Sequence, residues 1–99
     1  MYPELKEKMM TQLNNDEELR ELTNGSKFEI EHLQGELNVL WFEYHHYLTF
    51  GGCKEIFKGS FDPKKVFYHI ALHYNVKAYR LKYRRFDDHW KVGIEFKLA

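Results

Sequence analysis

The stretch "LNVLWFEYHHYLTF", Leu37 to Phe50, decides how this chain is read. It is apolar or aromatic at positions of both parities, interrupted by Asn38, Glu43, the pair His45-His46 and Thr49. Successive side chains of a strand point to opposite faces. A strand here therefore carries Leu40, Phe42, Tyr44, His46, Leu48 and Phe50 on one face, and Val39, Trp41, Glu43, His45 and Tyr47 on the other. A short apolar run also suits a helix, but the aromatic and β-branched content and the Gly51-Gly52 stop favour the strand. Both faces are oily, so this is predicted to be a central strand with cover on both sides.

Upstream, Tyr2, Leu5, Met9 and Leu13 recur at helical spacing, and Pro3 suits a first turn. Leu19 and Leu22 fall out of phase with that stripe. "NND" at 14–16 explains the break, with Asn15 or Asp16 capping a new helix and "TNG" closing it. Two helices are predicted, over 3–13 and 16–22. "KFEIEHL" (27–33) alternates as a half-buried strand, and Gly35 supplies the turn after it. Downstream, "FGGCKEIFKGSF" reads as a turn and a third, shorter strand. In "SFDPKKVFYHIALHYN", Asp62 is an N-cap, Pro63 a first helical residue, and Val66, Phe67, Ile70, Ala71 and Tyr74 one face. The last quarter alternates twice around "DDH": Tyr79, Leu81 and Tyr83 against Arg80, Lys82 and Arg84, then Trp90, Val92, Ile94, Phe96 and Leu98 against Lys91, Gly93, Glu95 and Lys97. The order α-α-β-β-β-α-β-β predicts an α+β fold on an antiparallel sheet of about five strands, with residues 1–99 as a single domain.

Composition sets the class. The chain has 99 residues, 43% hydrophobic, 17% aromatic and 30% charged, which suits a folded protein with one modest core. No apolar run approaches the ~20 residues that cross a bilayer. The N-terminus has no secretory pattern, and a lone Cys53 forms no internal disulfide. The cytoplasm is the expected compartment. Net charge is zero but unevenly spread: residues 1–36 hold four Lys/Arg against nine Asp/Glu, and residues 76–99 hold seven against three. An acidic first third and a basic last quarter can complement each other within one fold or between copies, or each can meet a separate partner.

The chemistry-bearing residues give few signals. His45 and His46 are neighbours on a strand and point apart. His69 and His73 stand four apart on a helix, the ligand spacing of a zincin helix, but Ile70 follows His69 where that chemistry needs Glu, and no third ligand lies nearby in sequence. They are only weak candidate metal ligands, since they flank the apolar face of the helix and suit partly buried packing better. Cys53 could act as a nucleophile only with a distant base, and "DD" at 87–88 reads as turn chemistry. Arg80, Lys82, Arg84, Lys91 and Lys97, with Arg85 near the turn, form a basic hairpin face able to hold an anion or follow a phosphate backbone. That face carries no predicted aromatic, and Glu95 sits in its middle.

The open question is what covers the second face of Leu37–Phe50. Helices on both sides of the sheet, or a sheet curled around one helix, would do so. With all helices on one side, Val39, Trp41, His45 and Tyr47 would need a second copy or a target protein. At roughly 25 cal/mol per Å², about 400 Å² of such surface is worth about 10 kcal/mol gross, much of it lost to association entropy. The opening "LKEKMMTQLNNDEELRELTNG" loosely resembles small phage structural proteins in its helix–cap–helix pattern. The expectation is a non-catalytic protein-binding module that needs no cofactor. It would be an adaptor or inhibitor of the kind phages and mobile elements encode, self-associating as a homodimer through Val39, Trp41, His45 and Tyr47. The alternatives are nucleic-acid or anion binding through the basic face, and a metal-dependent activity through His69 and His73.

Overall fold

The caps act where they are expected. The Asp16 side chain accepts from the Leu19 amide at 3.0 Å and starts a helix at Glu17. Asn24 and Gly25 end it with φ of 52° and 74°, and the Gly25 amide returns to the Arg20 carbonyl at 2.8 Å. Asp62 accepts from the Lys64 amide at 3.0 Å, with Pro63 in the first turn. The computed structural model describes residues 2–46, 49–50, 54–55, 60–87 and 89–98. In chain order they form α1 (Tyr2–Asn14), α2 (Glu17–Leu22), β1 (Phe28–His32), β2 (Leu37–His46), β3 (Thr49–Phe50), β4 (Lys54–Glu55), α3 (Pro63–His73), β5 (Val76–Arg85) and β6 (His89–Leu98).

Four strands make one antiparallel sheet in the order β1-β2-β6-β5. The fold is α+β, with four strands in the main sheet rather than about five. The segment predicted as a third strand instead contributes to a separate two-stranded ribbon, β3-β4. Cys53 and the Gly51-Gly52 turn lie outside the described residues.

One core holds the helices to the sheet. Met9 and Leu13 of α1, Leu19 of α2, and Val66 and Ile70 of α3 join Ile30, Leu40, Phe42, Tyr44, Val92, Ile94 and Phe96 of the sheet. All three helices therefore share one sheet face. Of the predicted α1 stripe, Met9 and Leu13 are buried while Leu5 is exposed. Alternation holds across most of the sheet but breaks twice. A bulge at Tyr44 comes between Glu43↔Lys91 and His45↔Trp90, and one at Tyr79 between Ala78↔Phe96 and Arg80↔Glu95. Each bulge inserts one residue and reverses the phase of the face.

Candidate functional site

The sheet face away from the helices was the predicted binding surface, and its register brings most of the charged residues together. Glu29 and Glu31 of β1 stand opposite Trp41 and Val39 of β2. Those stand opposite Gly93 and Glu95 of β6, which meet Lys82 and Arg80 of β5. Val39 and Trp41 are nevertheless 0% and 4% exposed. This corrects the expectation that an uncovered face leaves them bare, and the cover is neither a helix nor a second chain. Gly93 has no side chain, and a Cβ there would lie 2.7 Å from Cε3 of Trp41 and 2.5 Å from Cγ1 of Val39. The benzo edge of the indole thus occupies the space over the glycine. The Arg84 guanidinium sits 5.0 Å above the ring and reaches on to Glu31 of β1 at 3.5 Å. Long basic side chains cover apolar surface with their stems while their heads stay in water, so the edge strand roofs its own sheet. The Trp41 indole N–H has no hydrogen-bond acceptor among the described residues.

The remaining predicted interaction residues fall elsewhere. The Tyr44 bulge puts His45 in register with Trp90 rather than in the Val39–Trp41 row. Simple alternation had kept it in that row. Tyr47 lies outside the described residues.

The basic face is largely neutralised from within. Glu95 receives Lys82 at 2.8 Å and Arg80 at 3.4 Å, and Lys91 reaches Glu29 at 2.8 Å. The Lys82 hydrogen bond holds the Glu95 carboxyl below its usual range, against the burial that would raise it, and Arg80 adds to the effect. Arg85 pairs in register with Trp90, so it lies in the opposite row to Arg84. The Tyr79 bulge has the reverse effect. It brings an aromatic ring onto the basic face, with the ammonium groups of Lys77 and Lys97 at 5.4 and 5.6 Å from its centroid.

The outer surface of α3 carries the two most exposed large apolar residues among the described ones. Leu72 is 78% and Tyr68 62% exposed, one helical turn apart. Tyr68 borders a shallow notch shared with Lys64, Phe67, Arg80 and Leu81, where α3 meets the edge strand. Sequence periodicity had assigned the inward face of this helix and said nothing of the outward one.

On its other flank α3 meets α2. The second oxygen of Asp16 accepts from Nε2 of buried His69 at 2.7 Å and from the Tyr74 hydroxyl at 2.8 Å. Burial pushes the Asp16 carboxyl up, but the hydrogen bonds from His69, the Leu19 amide and Tyr74 outweigh it and hold it below the ordinary range. Burial, with Asp16 as its partner, pushes the Tyr74 hydroxyl up. An ionised carboxylate only accepts hydrogen bonds, so the His69 proton sits on Nε2. Nδ1 then faces Glu18 at 3.7 Å, with the His73 ring at 4.7 Å between centroids. Asp16 was read from sequence only as a cap, and Glu18 only as a first-turn acid. Their meeting with His69 could not be read locally, since 53 residues separate Asp16 from His69.

Among the described residues, no helix is long and apolar enough to cross a membrane. Comparison with known proteins found no matching family model, no matching curated relative and no matching solved structure.

Proposed function

We propose that this chain is a small non-catalytic protein-binding module that self-associates, with the outward stripe of α3 as the contact. The observation that carries this reading is the exposure of Leu72 and Tyr68, in phase on one helix beside an apolar notch. A lone exposed leucine needs no explanation. An aromatic and a leucine together, rimmed by Lys64 and Arg80, have the make-up of an interface centre with a polar edge. A two-fold partner would lay α3 antiparallel on its own copy, setting Tyr68 of one against Leu72 of the other. Fully burying one such leucine is worth about 1.5–3 kcal/mol before association costs. The sheet face gives this role up because its own charged chains cover Val39 and Trp41. The chain's single cysteine suits a reducing compartment such as the cytoplasm.

Light scattering tests the proposal. The native chain should be a dimer at micromolar concentration, and Leu72→Ser combined with Tyr68→Ser should shift it to monomer without changing its circular dichroism. A native chain that stays monomeric into the high micromolar range overturns the reading, as does a double variant that dimerises equally well.

Tyr79 supports a second reading. An exposed ring between two lysines suits a stacked base beside a phosphate, although Arg80, Lys82, Arg84 and Lys91 already hold carboxylates. Retention on heparin or a single-stranded oligonucleotide should then fall steeply with salt and weaken in Tyr79→Ala. No retention at low salt removes this reading.

A further inference from the structure

We infer that Glu18, His69 and His73 form a binding site for a borderline divalent metal ion, zinc foremost, that ties α2 to α3. One ligand atom from each of the three lies within 4.8 Å of the other two. Two imidazoles and a carboxylate are a donor set that zinc accepts, whereas calcium and magnesium favour oxygen ligands alone. His69 and His73 stand one turn apart on α3, so their rings emerge on the same side. The third donor comes from the first turn of α2.

The second observation is the orientation of His69. Its Nε2–H is given to Asp16 at 2.7 Å, which leaves the Nδ1 lone pair as the ligating position, 3.7 Å from the Glu18 carboxylate. A ligating histidine almost always gives its other N–H to a carboxylate or carbonyl in this way, fixing the tautomer and raising the basicity of the ligating nitrogen. Asp16 is itself fixed, by the Leu19 amide at 3.0 Å and the Tyr74 hydroxyl at 2.8 Å. The ligand that must not move is buried and anchored. The two that must close in, Glu18 and His73, are exposed and able to rotate.

Closure is modest. Tetrahedral zinc with bonds of about 2.0–2.2 Å holds its ligand atoms about 3.3–3.6 Å apart. A shift on the order of 1 Å by the two exposed side chains therefore completes the set. Three protein donors leave a fourth position for water or for a group from another molecule. The competing explanation makes His69 an imidazolium clamped between Asp16 and Glu18, which holds the same helices together with no metal.

The experiment uses the untagged full chain, stripped of metal and titrated with zinc chloride by calorimetry, with thermal melting followed in zinc and in EDTA. One zinc per chain and a higher Tm in zinc are expected. Both effects should disappear in His73→Ala and in Glu18→Gln, whose exposed sites leave folding intact, and persist in His32→Ala on β1. Asp16→Asn keeps a capping side chain but loses the charge that orients His69, and should weaken zinc binding about 10- to 100-fold. The inference fails if zinc produces neither heat nor a shift in Tm. It fails equally if His73→Ala and Glu18→Gln bind zinc as tightly as the native chain, since the metal then sits on other histidines.

Discussion

Gly93 lies in the middle of β6, where glycine normally weakens a strand, and close packing explains its presence. The Trp41 ring and a Val39 methyl occupy the space a side chain would need. Gly93→Ala should destabilise the protein by about 1–3 kcal/mol through overpacking. This would appear as a lower urea midpoint at unchanged slope; an unchanged midpoint would mean the indole does not lie over the glycine. Glu95 is the second residue whose surroundings decide its behaviour. Its folded carboxyl titrates below the ordinary value of 4.5. Its contribution is thus fully present above pH 4.5 and lost as pH falls through the lower folded value. The native chain should therefore lose stability more steeply on acidification than Glu95→Gln, and parallel profiles for the two would refute the pairing with Lys82 and Arg80.

At the scale of elements, α2 is only six residues long, too short to persist by itself. Asp16 secures it twice, capping its N-terminus and bonding it to α3 and to the residue that follows α3. Asp16→Ala removes the cap, worth about 0.5–2 kcal/mol. It also leaves the His69 imidazole and the Tyr74 hydroxyl without their acceptor, at about 1–3 kcal/mol for each group that stays buried. A loss of at least about 2 kcal/mol by denaturation is expected, with Asp16→Asn sparing only the cap's share, because its oxygen still caps while its amide gives the His69 N–H and the Tyr74 hydroxyl no acceptor. Equal losses in the two variants would mean that the cap contributes nothing and the link to α3 everything. The cap was legible in "NND" because its partner amide is three residues away. The link was not, because nothing near Asp16 in sequence announces His69 or Tyr74.

For the whole molecule, the consequence is a sheet with two different kinds of cover. Helices bury one face in a shared core, while the edge strand's own arginines and lysines roof the other. The central strands β2 and β6 are bonded on both sides, whereas β1 and β5 each have an outer edge that no described strand pairs. Amide exchange should accordingly be slowest in β2 and β6, with the outward amides of β5 far faster. Slow exchange along all of β5 in a dilute sample would instead place a partner on that edge. The bulge at Tyr79 and the row of cations are the devices that keep a long edge strand from pairing indiscriminately. They leave α3, with Leu72 and Tyr68, as the more exposed apolar surface.

The sequence by itself determined the order of the three helices and the four long strands, the Asp62 cap, the Asn24-Gly25 stop and the inward face of α3, and narrowed the α2 cap to Asn15 or Asp16. Each of these depends on residues within a turn or two of one another, and local backbone chemistry is enough to specify them. Tertiary structure decided the two bulges, and with them which face receives Tyr79 and which register position falls to His45. It also decided that Arg84 crosses the sheet to roof Trp41, and that Glu18 and Asp16 meet His69. Pairing register and long-range charge contacts are set by the strand or helix on the other side, whose position no local pattern encodes.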